Sequence, residues 1–570
     1  MSKRYSGEPS SYSQFACIGA GVSGIALGAT LKRWYGITDI EFFDRNEQLG
    51  GTWLSNQYPG CACDVPSVLY SFSFEPHPGW SRLLPSHDEL WRYLDGVATK
   101  YDLQKRMTFG VNVEHCEWVE ERARWRLTIR GTHGFKKHVA FVHEAQFLFS
   151  ATGQFCTPRR LNTPGIERFR GPIVHTAEWD HNVRLEGKRV VVFGNGCTGA
   201  QVVPRVAAIA SHTTHIVRSK HWILPPIDSP LPPWFQATLK WVPGLMFMLR
   251  YFVFSIAEKA RRGVAMTEKG QIYRDGMRQR AEKYMRDTAP PEYLDMLLPD
   301  FEVGCRRRIF DSGYLPCLHA NNVQLTDAPV IEIVENGVVT RDGLVEADAI
   351  VLATGFETNN FLSDLELIGE GGQTPTMHWE AMGNDGAGAY NCTAMSEFPN
   401  FFAILGPNSG TGHTSAVMAA ENNINYALRV LRPVLLGKAS IACVKPEAER
   451  EYVDTLQRQL AETVFNQGGC NSWYVREAGA AGGRWNGSTY PRSQADFWYR
   501  SLLPKWSHWE YRGPRTKPTI ADNGPALALI ILITALVLWI LNNDEALAMV
   551  EHLGRTAIAR FKSSLGQEVS

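Results

Sequence analysis

The sequence predicts an α/β fold with two Rossmann-like dinucleotide-binding units, a helical insertion and a C-terminal transmembrane helix. Three observations support this prediction. A strand, a glycine turn and a helix follow one another near the N-terminus, and the same order recurs after residue 188. Proline and apolar residues accumulate at about 225–300, which indicates an insertion in the second unit. A continuous apolar stretch lies at residues 525–541.

Length and charge narrow the classes of function. The 570 residues are too many for one hydrophobic core. Lys plus Arg and Asp plus Glu both number 58, so no net charge attracts nucleic acid, which is not an expected partner. The 11 cysteines include no CxxC pair, which favours reduced thiols over a disulfide framework. The polar N-terminus lacks the apolar core of a signal peptide, so export is not expected.

The first glycine turn, IGAGVSG, lies between a predicted strand at 14–18 and a predicted helix at 22–35. Its glycines, Gly19, Gly21 and Gly24, permit a tight turn, close approach of the backbone to a pyrophosphate and close packing of the helix on the sheet. Asp44 ends the next strand, 20 residues beyond Gly24, where such folds place the carboxylate that binds ribose hydroxyls. The alternative is a plain glycine-rich loop.

The second glycine turn, FGNGCTG, follows the predicted strand 189–193 and contains Gly194, Gly196 and Gly199. At the position that corresponds to Asp44, this unit has Arg218, followed by Ser219. Because a cation fits a 2'-phosphate, the second dinucleotide is predicted to be NADPH rather than NADH. An exposed basic turn is the alternative.

Later segments repeat strand patterns. Residues 347–356, ADAIVLATGF, resemble the strand and ATG turn that end at residue 153, and we expect them to return the chain to the first sheet. Residues 398–426 predict a strand, a glycine-rich loop that contains Asn408, and a helix whose first amides suit an anionic or carbonyl-bearing ring. The apolar stretch 241–256 is interpreted as a buried helix or an apolar substrate entrance, because Pro243, Arg250 and its brevity argue against a span.

The C-terminal stretch PALALIILITALVLWIL, residues 525–541, is apolar on every face. Its 17 residues would span about 25 Å as a helix, which is enough for a thin bilayer. Arg512, Arg515 and Lys517 precede it, whereas Asp544 and Glu545 follow it, so the positive-inside rule leaves the N-terminal part in the cytosol. We therefore expect a single-pass anchor, with the endoplasmic reticulum as its membrane. A buried core helix is the alternative.

Two longer motifs carry a resemblance to the flavin-dependent Baeyer–Villiger monooxygenases, particularly fungal members of secondary metabolism. The stretch FRGPIVHTAEWD fits that family's FxGxxxHxxxW followed by Pro or Asp, through Phe169, Gly171, His175, Trp179 and Asp180. We interpret these five residues as a hinge between the two units. If the segment is helical, His175 and Trp179 share one face.

The stretch GGTWLSNQYPGCACD fits the family's second motif, a GGxW with a Tyr-Pro-Gly and an acid. The matching residues are Gly50, Gly51, Trp53, Tyr58, Pro59, Gly60 and Asp64. The resemblance covers about residues 13–510. It implies FAD on the first unit and NADPH on the second, with O2 and a lipophilic ketone as the other reactants.

The resemblance also implies catalytic residues. Arg307 matches the family's catalytic arginine, and Arg306 stands where the family has a lysine, which leaves its phosphate contact open. Asp64 matches the acid that orients the arginine. A structural salt bridge is the alternative for this pair. The predicted cofactor-binding residues are Gly19, Gly21, Gly24, Asp44, Gly51, Thr52, Trp53, Asp64, Tyr70, Gly194, Gly196, Thr198, Gly199, Arg218, Ser219, Arg306, Arg307 and Asn408, and no metal ion is predicted.

Three other functions remain to be weighed. A flavin monooxygenase that oxygenates nitrogen or sulfur shares the fold, but its motif generally lacks the Trp179 and Asp180 ending. A disulfide reductase needs a redox CxxC, which the sequence lacks. A non-catalytic, membrane-anchored flavoprotein would not need the intact pair of Asp64 and Arg307.

The expected segments are 1–168 and 346–511 for FAD, 169–187 for the hinge, 188–345 for NADPH, 512–524 for a linker, 525–541 for the anchor and 542–570 for a tail.

Overall fold

A computed structural model of the chain describes residues 9–132, 137, 139–358, 361–362, 365–478 and 483–520. The chain divides into two units, Met1–Thr516 and Lys517–Ser570. The architecture below is that of the first unit. The predicted transmembrane segment 525–541 and the tail 542–570 lie outside the described residues.

The elements alternate between strands and helices, as the sequence predicts for an α/β fold. The described strands are β1 (Ser11–Ile18), β2 (Ile40–Asp44), β3 (Met107–Phe109), β4 (Val111–Val119), β5 (Arg124–Gly131), β6 (Ala140–Ser150), β7 (Ile173–His175), β8 (Arg189–Phe193), β9 (His212–Ile216), β10 (Ile223–Leu224), β11 (Ile309–Phe310), β12 (Val323–Thr326), β13 (Val330–Val334), β14 (Gly337–Thr340), β15 (Gly343–Glu346), β16 (Ala349–Leu352), β17 (Glu366–Ile368), β18 (Phe401–Ala403), β19 (Ile441–Val444), β20 (Val475–Ala478), β21 (Gly483–Asn486) and β22 (Trp509–Arg512). The described α-helices are α1 (Val22–Thr30), α2 (Thr52–Ser55), α3 (His87–Lys100), α4 (Cys197–Ala207), α5 (Pro233–Trp241), α6 (Leu245–Lys259), α7 (Glu268–Thr288), α8 (Leu294–Leu297), α9 (Tyr314–Cys317), α10 (Pro375–Ala381), α11 (Ala416–Leu435), α12 (Pro446–Ala461), α13 (Val464–Gln467) and α14 (Gln494–Leu502).

The first sheet has the strand order β17-β4-β5-β6-β1-β2-β3, and β18 also pairs with β6. Strand β1 is parallel to both of its neighbours, with Ile18 opposite Phe43 of β2 and Ser150 of β6. Because the carboxyl ends of parallel strands meet at one edge, the first glycine turn, Asp44 and the first ATG turn come together there. The predicted first Rossmann-like unit is confirmed.

The second sheet has the order β12-β9-β8-β16-β7, and all of its strands are parallel. Strand β16 pairs with β8, with Ile350 opposite Val191. The expectation that residues 347–356 return the chain to the first sheet is therefore wrong. The chain returns to that sheet later, through β17 and β18. A strand followed by ATG occurs in both sheets, so the local pattern does not distinguish them.

The motif around His175 forms part of the second sheet. Strand β7 is its edge strand, with His175 opposite Leu352, and a short 3-10 turn follows at Thr176–Glu178. The segment from His175 to Trp179 is not one helix, so the condition for a shared face is not met, because His175 has an extended backbone and ends a strand.

The insertion at about 225–300 is helical, as expected, but α6 is not the buried helix that its apolar sequence suggested. None of its residues, all of them described, is buried. In the described part of the chain, no single helix is long and apolar enough to cross a membrane. Helix α5 and the stretch Leu245–Gly263 meet the length and composition criteria only as a pair, with a bend of 111° between them.

One cysteine pair departs from the expectation of reduced thiols. Cys305 and Cys470 form a disulfide although they are 165 residues apart in the sequence. Neither residue belongs to a CxxC motif, so the spacing of the cysteines does not predict the pair. The two sulfurs meet only because the segment before Arg306 packs against the loop that follows α13.

Candidate functional site

The first glycine turn is packed too closely for side chains. Gly19 has φ +111°, and a Cβ there would lie 2.5 Å from the carbonyl oxygen of Ala151. Asp44 ends β2 and accepts a hydrogen bond from the backbone N–H of Ala20 at 2.7 Å. Burial raises the pKa of Asp44, despite that hydrogen bond. The structure thus places Asp44 beside the turn, where a ribose-binding carboxylate is expected.

The GGTW segment closes over the same turn. Gly51 has φ +53°, and a Cβ there would lie 3.0 Å from Cα of Gly21. Thr52 then begins α2, and the buried ring of Trp53 packs edge-on against Tyr70 with centroids 5.4 Å apart. The predicted residues of this segment therefore gather at the first turn. Glycines at the contact allow the two backbones to approach closely, as a dinucleotide cradle requires.

The following residues of this motif contact helix α4 of the second Rossmann-like unit. The Tyr58 hydroxyl donates to Oε1 of Gln201 on α4 at 2.7 Å, and Gln201 Nε2 donates to the carbonyl oxygen of Ala62 at 3.0 Å. A Cβ on Gly60 would lie 2.7 Å from the Gln201 carbonyl oxygen. Because α4 begins at the second glycine turn, these contacts place Asp64 between the two turns.

Asp64 and Arg307 form a two-point ion pair. Arg307 Nε donates to Oδ2 of Asp64, and Nη2 donates to Oδ1, both at 2.6 Å. Burial alone would raise the pKa of Asp64, but the Arg307 charge and its hydrogen bonds outweigh burial and hold that pKa below its usual value. The Asp64 charge raises the pKa of Arg307 well above its usual range. Both groups are therefore ionised at neutral pH, in a planar and fixed arrangement.

Two groups around this pair were not singled out from the sequence. Tyr474 and Cys197 lie within electrostatic reach of both Asp64 and Arg307. Burial raises the pKa of Tyr474 to about 12, although the Arg307 charge lowers it. The disulfide connects the residue before Arg306 to the loop that carries Tyr474. The concentration of Trp and Tyr at 470–511 was the only sequence signal for this region.

The second glycine turn has the form expected for a phosphate-binding turn. Gly194 has φ +106°, and a Cβ there would lie 2.3 Å from the carbonyl oxygen of Ala353. A Cβ on Gly199 would lie 2.2 Å from the Gly194 carbonyl oxygen. Gly196 precedes α4, and no described atom lies within 4 Å of its hypothetical Cβ, so space exists at the helix start beside Thr198. Helix N-termini with such space bind phosphates.

The predicted 2'-phosphate residues are close to one another. Burial lowers the pKa of Arg306, and the neighbouring charge of Arg218 lowers it further. Arg306 Nη1 donates to the carbonyl oxygen of Lys220 at 3.3 Å, whereas its buried Nε has no acceptor among the described residues. Ser219 accepts a hydrogen bond from Asn195 Nδ2 through its carbonyl oxygen, at 3.0 Å. A phosphate would relieve the repulsion between the two arginines and supply the missing acceptor.

Asn408 lies in different surroundings. Its Nδ2 donates to the carbonyl oxygens of Asn486 at 2.6 Å and Thr489 at 3.1 Å. Its backbone has φ +61°, which asparagine tolerates better than most residues. The side-chain amide therefore holds the 486–489 loop in place, and its role at the cofactor stays a prediction.

The five hinge residues make structural contacts in the second unit. Phe169 belongs to the hydrophobic core of that unit, and a Cβ on Gly171 would lie 2.3 Å from the Asp348 carbonyl oxygen. His175 Nε2 is 3.2 Å from the Thr354 hydroxyl, and its Nδ1 accepts from the Ala177 N–H at 3.1 Å. Trp179 is partly exposed, and Asp180 is exposed. The motif is therefore anchored to the ATG turn after β16, and its action as a hinge stays a prediction.

Comparisons with known proteins agree with this geometry. The family model described as flavin-binding monooxygenase-like matches residues 13–237. The chain is 32% identical over 487 residues to the FAD-binding monooxygenase ktnD of Aspergillus niger, which covers 84% of this chain and 79% of that protein. It is 33% identical over 479 residues to a Baeyer-Villiger monooxygenase of Streptomyces coelicolor, which covers 83% of this chain and 89% of that protein.

Solved structures share the fold. A closed structure of cyclohexanone monooxygenase aligns with a TM-score of 0.76 at 24% identity, over 88% of this chain and 99% of that one. A steroid monooxygenase bound to NADP aligns with a TM-score of 0.73 at 25% identity, also over 88% of this chain and 99% of that one. The architecture of two Rossmann-like units is therefore that of these enzymes.

Proposed function

Because this chain belongs to the flavin-dependent Baeyer–Villiger monooxygenases, we propose that it inserts one oxygen atom of O2 beside the carbonyl of a lipophilic ketone. The product is an ester or lactone, and the second oxygen atom leaves as water. The chain is an enzyme that uses FAD and NADPH. The observation that carries the proposal is the two-point pair of Arg307 and Asp64 between the two glycine turns.

The residues around the two turns fit these cofactors. Gly19, Gly21 and Gly51 leave room for a pyrophosphate close to the backbone, and Asp44 stands at the ribose position. The start of α4 at Gly196 suits the second pyrophosphate, with Arg218 and Arg306 as the cations for the 2'-phosphate of NADPH. FAD, when bound and reduced by NADPH, supplies the activated oxygen.

Arg307 stabilises negative charge in this reaction. Its guanidinium stays protonated at any working pH, so it acts as a fixed cation and hydrogen-bond donor and not as a source of protons. A positioned cation of this kind lowers the energy of the negative charge that develops on the ketone oxygen during attack. Asp64 binds Nε and Nη2 and thereby sets the plane of the guanidinium, while Nη1 lies on the opposite edge.

The substrate and the setting belong to the same proposal. The apolar surface of the 225–260 insertion suits a bulky, lipophilic ketone, and one of the related proteins comes from a filamentous fungus. We place the enzyme in secondary-metabolite biosynthesis, with its catalytic part in the cytosol and residues 525–541 as an anchor in the endoplasmic reticulum. Extraction of membranes with alkaline carbonate tests the anchor, because recovery of the full-length chain in the soluble fraction would contradict it.

A product panel tests the oxygenation itself. The purified holoenzyme is supplied with NADPH and 18O2, and with ketones, amines and sulfides in separate reactions. We expect one labelled oxygen in an ester or lactone from at least one bulky ketone. Labelled N-oxides or sulfoxides without any ester would instead identify a nitrogen- or sulfur-oxygenating enzyme of the same fold. An absence of flavin reduction by NADPH would indicate a non-catalytic flavoprotein.

A further inference from the structure

Helix α6 differs from an ordinary surface helix in the aromatic and apolar side chains that it exposes. A surface helix of a soluble protein turns its apolar stripe toward the core and its charged residues toward water. In α6 Arg250 and Glu258 point into the protein beside half-buried apolar residues, and the exposed side chains other than Lys259 are apolar or aromatic.

Two charged side chains of α6 make polar contacts with the rest of the protein. Arg250 Nη1 donates to the carbonyl oxygen of Val68 at 2.6 Å and to the hydroxyl of Ser71 at 3.1 Å. Glu258 Oε1 lies 2.9 Å from Nε2 of His413 and accepts from the backbone N–H of Gln494 at 3.0 Å. These bonds fix the rotation of the helix about its axis and thereby keep its exposed apolar face directed outward.

The outward face is large and aromatic. Trp241 is 75% exposed and Phe247 is 74% exposed. The exposed apolar side chains of α5, α6 and the turn between them form what we call the hairpin face: Trp234, Trp241, Val242, Phe247, Met248, Tyr251, Phe252 and Ile256. Scattered exposed apolar residues need no explanation, whereas eight of them within one pair of helices indicate an interaction surface.

The exposed charges within the segment 229–262 are of one sign. The exposed residues Lys240, Lys259, Arg261 and Arg262 lie at the ends of the hairpin face. The sequence has no acidic residue between Asp228 and Glu258, and Glu258 faces inward. Tryptophan and tyrosine beside lysine and arginine are the residues that proteins place at the boundary between acyl chains and headgroups.

We propose that the hairpin face is a peripheral docking surface for an anionic lipid bilayer. The 111° bend between α5 and α6 suits a wedge that lies in the interface and does not cross the membrane. The basic ends meet anionic headgroups, which a second, equally basic copy of the same face would repel. Arg250 bonds to Val68 and Ser71 on either side of Tyr70, which the proposed function places at the flavin, so docking brings that segment close to the source of a lipophilic substrate.

Amide hydrogen exchange of the full-length holoenzyme tests this proposal locally. With vesicles of phosphatidylcholine and phosphatidylserine, we expect exchange across 233–262 to slow by at least about tenfold. Exchange in α12 should not change. In vesicles of phosphatidylcholine alone the slowing should be weaker. The readout separates the hairpin from an anchor at 525–541, because an anchored chain whose hairpin stays in water would show no slowing at 233–262.

Two variants complete the test. The double substitution Phe247→Asp, Phe252→Asp should abolish the slowing without loss of bound FAD, because both side chains are exposed. Ile331→Asp, at another exposed apolar position on β13, should behave as the unsubstituted protein. Protection at 233–262 that rises with protein concentration in the absence of vesicles would overturn the proposal, since it means that a second copy covers the face. Unchanged exchange with vesicles, or equal slowing in the double variant, would also overturn it.

Discussion

Arg307 and Asp64, 243 residues apart in the sequence, share two hydrogen bonds of 2.6 Å that join the guanidinium edge to both carboxylate oxygens. The pair links the loop that closes over the first glycine turn to the segment that carries Arg306 toward the Arg218 turn. It therefore fixes one cation between the two glycine turns.

Replacement of Arg307 by alanine should separate flavin reduction from oxygenation. Arg307→Ala should bind FAD and accept electrons from NADPH, but it should form no ester, because no cation remains to stabilise the developing charge. Anaerobic flavin bleaching and product analysis of the same preparation measure the two steps. Ester yield comparable to the unsubstituted enzyme would show that Arg307 is not catalytic.

Asp64→Asn should retain the FAD and Arg307 but lose the orientation of the guanidinium. We expect the rate of ester formation to fall by roughly 10²- to 10³-fold, the usual effect of losing one positioned charge-stabilising contact. Asp228→Asn is the matched control, because Asp228 also pairs with an arginine, Arg82 at 2.6 Å, on the protein surface. If both variants lost activity equally, the loss would reflect general destabilisation and not positioning.

Arg218→Ala should weaken the binding of NADPH and leave the binding of NADH nearly unchanged. A hydrogen-bonded charge pair of about 1.5–3 kcal/mol corresponds to a roughly 10- to 150-fold rise in KM for NADPH. The KM for NADH should change little, since NADH lacks the 2'-phosphate. Arg341→Ala removes an exposed cation elsewhere in the same unit and should change neither value. Equal losses for both nucleotides would place Arg218 away from the 2'-phosphate.

The disulfide between Cys305 and Cys470 should stabilise the fold around the arginine segment. Cys470→Ser should lower the free energy of unfolding by about 2–5 kcal/mol, because the bond restrains a long loop in the unfolded chain. A reductant should lower the Tm of the unsubstituted protein and leave that of Cys470→Ser unchanged. Cys317→Ser, at a free and partly exposed thiol, is the control. A Tm that is insensitive to reductant would show that the thiols are reduced.

His378 should make stability fall as pH rises. Its Nδ1 lies 3.0 Å from Glu397, and its Nε2 lies 3.1 Å from the buried carboxylate of Glu449. Burial favours the neutral ring, but these carboxylates outweigh burial and raise the pKa of His378 above its usual value. A raised native pKa contributes stability that is complete below the unfolded pKa, about 6.5, and is lost as pH rises through the native pKa.

The measurement is the Tm of the unsubstituted protein and of His378→Gln between about pH 6 and about pH 9. The difference between the two should be largest at the acidic end and should shrink by a few degrees toward the basic end. His319→Gln replaces an exposed histidine and should follow the unsubstituted protein across the range. A difference that grows with pH would contradict the raised pKa.

Local sequence patterns predicted the strands and turns well where chemistry depends on backbone conformation. Gly19, Gly24, Gly194 and Gly199 have contacts that exclude a Cβ, and Asp44 stands beside the first turn. The same patterns failed where several partners were possible. Strand β16 has the pattern of β6 but pairs in the other sheet, and α6 is apolar without being buried. An apolar composition indicates that a surface is removed from water, but it does not identify the group that covers the surface.

The sequence by itself determined the family and, through the resemblance, the two cofactors and the charged pair, because the motifs that carry the resemblance consist of residue types at short spacings. Only the tertiary structure decided which sheet β16 joins, that Cys305 meets Cys470, and that Arg250 and Glu258 turn inward and leave the hairpin face outside. These features depend on contacts between segments that are distant in the chain. Such contacts arise from the competition of many partners for burial and hydrogen bonds, which no local window contains.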